Sequence, residues 1–267
     1  MPLICFASPK GGVGKSTLAA NVACEIARAG QAVVALDLDP QNTLRLHFGI
    51  DLHDTCGFVA GLQHQPDWRQ AGQRGSNGVY VLPYGITGME EAIALSRHLG
   101  DNPALLSDQI ADMLSQPGLV VVVDTEPGPS ASLAAILPLA DLLVSVLLVD
   151  ATSSAVVPSI ESGRAYGVDW TRGAASDASR QVFVLNQFDP RTRIGPTIAQ
   201  GLARHLGGRL LGLVHRDEHI GEAVAAQKMV ADYAPAAQSA VDIRRLAEAI
   251  TSRIGTAVPA KRMAMVR

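Results

Sequence analysis

Lysine is scarce in this chain. Of 22 cationic residues among 267, four are lysines, Lys10, Lys15, Lys228 and Lys261, and two of these cluster near the N-terminus. Arginine carries almost all the other positive charge, so the clustered lysines mark a place where a compact, flexible point charge is wanted. Cysteine is scarcer still. Cys5, Cys24 and Cys56 form no C-x-x-C and have no ligand-like spacing to histidine, which excludes a disulfide framework and a zinc site and leaves reduced, partly buried thiols. Long apolar runs are missing too. The longest, residues 133–149, is interrupted by Pro138 and Asp141, whereas a membrane span needs about 20 mostly apolar residues. It reads as a helix, a turn and a buried strand. No basic segment precedes the apolar start Met1 to Ala7, and Pro9-Lys10 ends it, so it reads as a first strand and not as a secretory leader. The expected location is cytoplasmic.

An excess of positive charge is also lacking: the net charge is −3 and the pI about 6.1. A nucleic-acid role would therefore require a local patch. The 48% hydrophobic content excludes a disordered or collagen-like chain. At about 100–200 residues per domain, the length permits one large domain or two small ones.

Apolar runs bounded by turn residues predict strands over residues 3–7, 32–36, 79–82, 119–123, 142–149 and 182–185, with a shorter candidate at 210–214. Runs without polar alternation suit strands covered on both faces. Amphipathic stretches at residues 16–29, 103–114, 153–166, 197–206 and 241–254 can serve as crossover helices. Alternation of strand and helix throughout predicts an α/β fold with a doubly wound, mostly parallel sheet and helices on both faces. A single domain over residues 1–255 and a short basic tail over 256–267 are expected. Segments 51–78 and 167–180 break the rhythm and read as surface insertions. In such a sheet the ligand site lies at the carboxyl ends of the strands.

Directly after the first strand the chain reads Pro9-Lys10-Gly11-Gly12-Val13-Gly14-Lys15-Ser16-Thr17 and then enters a helical pattern. Glycines let successive backbone N–H groups turn inward around an anion, and the helix N-terminus adds partial positive charge. In this chemistry Lys15 reaches the β and γ phosphates of a nucleotide and the Ser16 hydroxyl ligates Mg2+. The position five before Gly14 is Pro9 and not Gly, so the loop follows the variant K-G-G-x-G-K-[ST] with an additional lysine, Lys10, at its entrance.

Acidic residues follow the second and fourth predicted long strands. In Asp37-Leu38-Asp39-Pro40-Gln41, alternation places Asp37 and Asp39 on one side. One carboxylate could hold a water on Mg2+ and the other orient the attacking water; the alternative is a D-P turn leading into a helix. Asp124 ends the run Val120-Val121-Val122-Val123 and suits a Walker-B carboxylate that binds Mg2+ through water.

These residues resemble the MinD/ParA superfamily of dimerising ATPases. The resemblance implies ATP and Mg2+ as cofactors, with residues Pro9 to Thr17 around the phosphates and Ser16, Asp37 and Asp124 toward the metal. It implies a homodimer in which Lys10 reaches the partner's nucleotide, as an arginine finger does, and in which Asp39 positions the attacking water. Asn186 would contact the adenine edge, and Arg216 would lie near the base. Pro127-Gly128 would form the switch II turn; the superfamily usually has a second proline where this chain has Glu126.

Within the superfamily, Leu44-Arg45-Leu46-His47-Phe48, the stretch Asp67-Trp68-Arg69-Gln70-Ala71-Gly72, Leu82-Pro83-Tyr84-Gly85 and His215-Arg216-Asp217-Glu218 resemble the BcsQ branch encoded with bacterial cellulose synthase. That implies regulation or localisation of the synthase complex through its cytoplasmic components, with membrane association only indirect and no sequence-specific nucleic acid. A partition ATPase binding DNA non-specifically is the alternative, favoured by Arg244, Arg245, Arg253, Lys261 and Arg262, which also read as a solvated helix face and tail. Trp68 and Trp170 are candidate partner contacts or local packing. Pro259 and the short length of the tail count against a membrane-surface helix.

Overall fold

A computed structural model describes residues 1–257 apart from 52, 65, 76 and 170–179. The strands are β1 (Leu3–Ala7), β2 (Ala32–Asp37), β3 (Gln73–Arg74), β4 (Tyr80–Leu82), β5 (Leu119–Asp124), β6 (Leu142–Leu148), β7 (Gln181–Phe188) and β8 (Leu210–His215). The helices are α1 (Lys15–Arg28), α2 (Leu44–His47), α3 (Trp68–Ala71), α4 (Met89–Asp101), α5 (Ala104–Ser115), α6 (Ala131–Ile136), α7 (Ala151–Glu161), α8 (Gly195–Leu206), α9 (Glu218–Ala225), α10 (Val230–Tyr233) and α11 (Gln238–Ala257).

The strands form one eight-stranded sheet in the order β3-β4-β2-β5-β1-β6-β7-β8. All pairings are parallel except β3 with β4. From β1 the chain first builds toward β2 and β4, returns to place β5 beside β1, and then builds the other way through β6, β7 and β8. The carboxyl end of β1 therefore lies where the winding reverses, the point at which an open α/β sheet forms its ligand crevice.

The unbroken apolar runs have a direct explanation in the two faces. Leu3, Cys5 and Ala7 of β1 enter one core with α5, α6 and α8, while Ile4 and Phe6 enter the other with α1 and α11. Neither face of the strand meets water, so no polar alternation develops. Cys5 and Cys24 are buried and Cys56 is exposed; all three are free thiols. Burial pushes the Cys24 thiol up to about 12. Residues 133–149 resolve into the end of α6, a 3-10 turn at Leu137–Leu139 and β6. Among the described residues no helix is long and apolar enough to cross a membrane.

Three expectations change. The segment from 51 to 78 is not a surface insertion: Phe58, Val59, Leu62 and Trp68 join the core beside Leu38 and Tyr84. It is stitched to the chain after β4 by Phe58 N–H to Pro83 O (2.9 Å) and Ala60 N–H to Tyr84 O (2.8 Å). These anchors have no regular period, which hid them. Trp68 is consequently a packing residue, 8% exposed, with Nε1 donating to Asp112 Oδ2 at 2.6 Å and the Arg69 guanidinium 4.4 Å above its ring. Trp170 and the basic residues Lys261 and Arg262 lie outside the described residues. Finally, the helix expected over 153–166 divides, because Gly163 at φ 82 ends α7 and a 3-10 turn follows at Arg164–Tyr166.

Candidate functional site

The loop after β1 is shaped by two glycines in left-handed backbone, Gly12 (φ 74) and Gly14 (φ 85), and α1 begins at Lys15 immediately beyond. Val13 between them is buried and anchors the loop in the core. The end of β7 grips the same loop: Asn186 Nδ2 donates to Val13 O at 2.7 Å, and Gln187 Nε2 to Gly12 O at 3.4 Å. A Cβ at Gly14 would lie 2.4 Å from Asn186 Nδ2. Gly14→Ala should therefore cost about 1–2 kcal/mol in backbone strain alone and also displace Asn186. The expected result is a lower urea midpoint together with at least about tenfold weaker binding of a fluorescent ATP analogue; an unchanged titration would show that the loop tolerates a side chain there.

Beneath the loop the charges converge. Lys15 is buried, with Nζ 2.7 Å from Asp124 Oδ1 and 3.8 Å from Asp39 Oδ2. Asp124 is fully buried at the end of β5, and its Oδ2 has no hydrogen-bond partner. Burial raises its pKa, against the opposing charge of Lys15. Asp37 lies opposite Asp124 across the β2–β5 pairing. Its oxygens accept the backbone N–H groups of Asp39 (2.9 Å) and Leu44 (3.0 Å), so it shapes the loop that presents Asp39. Burial and the neighbouring Asp124 push its pKa well up. Asp39 Oδ1 accepts Gln41 N–H at 2.9 Å, and the Thr43 hydroxyl meets Ser16 Oγ at 3.4 Å.

Backbone pins hold the two acidic turns. Leu38 N–H donates to Asp124 O (2.8 Å), Gly128 N–H to Ser8 O (2.8 Å) and Thr125 Oγ1 to Phe6 O (2.9 Å). Asn42, at φ 52, receives Tyr84 N–H on its Oδ1 and donates Nδ2 to Gly85 O. The Leu82-Pro83-Tyr84-Gly85 segment noted in the sequence is thereby tied to the turn carrying Asp39.

A cavity of about 690 Å3 opens over this assembly, lined by Lys10 to Thr17, Asp39, Pro40, Gln41, Glu126, Pro127 and Gln187 among others. A neighbouring cavity of about 330 Å3 shares Gly14, Thr17 and Gln187 with it and contains Asn186 and Arg216. The structure thus brings Lys10 to Thr17 and Asp39 into one cavity and the two base-side candidates into the adjoining one, while Asp37 and Asp124 lie beneath and Pro9 lines neither cavity. Lys10 is partly exposed at the entrance; its Nζ contacts Thr152 Oγ1 and lies 3.9 Å from Asp150 Oδ1. Sequence reasoning missed His47 and Gln187 as cavity residues. Burial pushes the His47 imidazole down to about 4, and its Nδ1 has no partner. Its position on α2 follows from the Asp37 and Asn42 anchors, which no local pattern reveals.

A parallel α/β sheet with this loop at its winding reversal defines a P-loop nucleotide hydrolase of the MinD/ParA superfamily. Within it, the chain belongs to the family of cellulose biosynthesis protein BcsQ, which matches residues 1–250. The cellulose biosynthesis protein BcsQ of Escherichia coli K12 is 26% identical over 257 residues, covering 92% of this chain and 93% of that protein. The chromosome-partitioning ATPase Soj of Thermus thermophilus is 27% identical over 261 residues, covering 94% and 96%. The fold is shared with the septum site-determining protein MinD of Pyrococcus horikoshii, solved with Mg-ADP, at a TM-score of 0.74 and 21% identity over 96% of this chain and 98% of that one.

Proposed function

We propose that this chain is an ATPase that binds ATP with Mg2+ in a sandwich dimer, hydrolyses it slowly in step with dimerisation, and regulates or localises a bacterial cellulose synthase complex from the cytoplasm. The observation that carries the nucleotide reading is the buried lysine of a glycine-turned loop held between Asp124 and Asp39. Family membership supports the cellulose reading.

The donor set suits Mg2+, which is usually held by one or two carboxylates together with phosphates and waters. Among the described residues no cluster of three or more acidic, His or Cys side chains forms a ready-made metal cage. Ser16 would contact the ion directly, while the unpartnered Oδ2 of Asp124 is available to one of its waters; Asp37 supports them from below. Bound Mg2+ would neutralise charge on the β and γ phosphates. Lys15 would leave Asp124 for phosphate oxygen, and Asp39 would orient a water in line with the γ phosphorus. Lys10 would leave Thr152 and Asp150 to reach the partner's nucleotide. Asn186 and Arg216 would border the base.

In a host strain encoding the chain beside a cellulose synthase, deletion should reduce cellulose secretion or displace the synthase, with rescue by the wild-type gene but not by Lys15→Ala. Unchanged secretion and synthase position after deletion would overturn the cellulose reading. The Soj similarity favours a second reading, ATP-dependent non-specific DNA binding. Arg244 of α11 is engaged 3.6 Å from Glu25, which reduces the cationic surface on offer. A gel shift at low salt with ATP, lost steeply as salt rises, would support DNA binding.

A further inference from the structure

The two residues before the last of β7 break the strand's own geometry. Side chains alternate along an extended strand, so Asn186 and Gln187 would point to opposite faces. Both nevertheless reach the phosphate loop: Asn186 Nδ2 donates to Val13 O at 2.7 Å and Gln187 Nε2 to Gly12 O at 3.4 Å. A β-bulge makes this possible. β7 pairs Leu185 with Leu213 and Phe188 with His215 of β8, so the step across Asn186 and Gln187 carries one residue more than the step beside it. Such bulges re-aim side chains next to functional sites. Gln187 takes up the difference in left-handed backbone, at φ 56. That conformation is costly for a residue with a long side chain and persists only where the surroundings hold it.

These two bonds orient more than the oxygens they meet. No peptide bond among the described residues is cis, and in a trans peptide the C=O and the following N–H point in opposite directions. Drawing Gly12 O and Val13 O toward β7 therefore turns the N–H groups of Val13 and Gly14 away from it. Among the described residues neither N–H has a partner in the protein. Val13 and Gly14 both line the cavity of about 690 Å3, beside Lys15. Consecutive unpartnered donors in a glycine-turned loop form a nest for an anion. Gln187 borders this cavity and the base-side one, and it is exposed, so it serves the loop without filling a core.

We propose that Gln187 is a positioning residue of the phosphate site: together with Asn186 it holds the Val13 and Gly14 N–H groups in the orientation that receives phosphate before a ligand arrives. This role rests on reading the loop as the phosphate site of a nucleotide. Donors oriented in advance lower the ordering cost of binding, and the left-handed backbone at Gln187 is the strain that maintains them. The effect of Gln187 acts through the loop and is the same whether or not the ligand carries a base.

The test compares Gln187→Ala and Gln187→Gly with wild type on the full chain. Binding of a fluorescent ATP analogue is measured first, and the analogue is then displaced with ATP or with inorganic tripolyphosphate, each with Mg2+. Tripolyphosphate has no base, so a loss caused by a misdirected loop must appear with it in full. Both variants should bind ATP and tripolyphosphate about three- to tenfold more weakly, as one neutral hydrogen bond provides, and by the same factor for the two ligands. Urea midpoints should part the variants even though both lack the amide. Gln187→Gly should unfold at higher urea than Gln187→Ala, because glycine takes left-handed backbone without a Cβ penalty. Weakened phosphate binding in the more stable variant is a combination that a merely structural role would not produce. A loss with ATP but none with tripolyphosphate would make Gln187 a base contact and overturn the proposal. Unchanged binding of both ligands by Gln187→Ala, or tripolyphosphate that fails to displace the analogue from wild type, would overturn it as well. So would a Gln187→Gly midpoint at or below that of Gln187→Ala, since the bulge would then hold no strain. A wild-type chain that binds neither the analogue nor tripolyphosphate would overturn the nucleotide reading itself.

Discussion

Lys15→Ala should abolish nucleotide binding, weakening a fluorescent ATP analogue by at least about 100-fold, since a charge-assisted bond of this kind contributes up to about 3 kcal/mol. The same substitution should destabilise the protein without nucleotide. Lys15 Nζ is 2.7 Å from a fully buried Asp124, and removing one partner of a buried pair costs about 3–5 kcal/mol. The lower end of that range is expected, because burial already raises the pKa of Asp124 and the group can take up a proton instead. The sign of the pH dependence follows. A carboxyl whose folded pKa lies above its unfolded value stabilises the fold at low pH and ceases to do so as the pH rises through the folded pKa. Without Lys15 that rise is larger, so urea midpoints of Lys15→Ala and wild type should diverge more at pH 8 than at pH 6. Equal divergence would mean that Asp124 does not take up the missing charge.

Lys10→Ala should give the opposite division of effects. Lys10 is partly exposed at the cavity entrance and contacts Thr152, with Asp150 at 3.9 Å, so nothing in the buried charge cluster depends on it. Nucleotide affinity should stay within about threefold of wild type. Hydrolysis should fall by a factor on the order of 1,000, the lower end of what a cation supplied in trans to a transferring phosphoryl group provides, and the ATP-dependent dimer should disappear from sedimentation profiles. Normal hydrolysis by Lys10→Ala would refute its role across the dimer. Mixing the variant with a Lys15→Ala chain sharpens the test, because one active site in such a heterodimer would combine Lys15 of the Lys10→Ala chain with Lys10 of the Lys15→Ala chain.

What could be read in the sequence was local. The phosphate loop is a contiguous stretch whose glycines, lysines and helix start follow one another in the order their chemistry requires. The strands of the central sheet were legible because consecutive residues, such as Leu3 and Ile4 or Val121 and Val122, enter different cores and are all apolar. Elements that depend on distant partners were not legible. β3 is two polar residues, Gln73 and Arg74, defined only by antiparallel pairing with β4. α4 buries Leu95 and Leu99 but exposes Met89 and Ile93, which blurs its apolar stripe. Asn42 and Asp37 could be flagged as turn residues, yet the bonds that make them anchors, to Tyr84, Gly85 and Leu44, exist only after folding.

In the proposed ATP site, the contact between Asn186 and the loop would bear on how nucleotides are told apart. Asn186 borders the base-side cavity, yet its amide nitrogen is committed to the carbonyl of Val13, inside the phosphate loop. Its other amide atom, Oδ1, has no partner. In the proposed ATP site, a base that satisfies Oδ1 would steady the side chain that holds the loop, and a base that repels it would loosen the same grip. With the base placed there as proposed, its identity would be communicated to the phosphate loop through Asn186 and Gln187, and discrimination between nucleotides should register in turnover as well as in affinity.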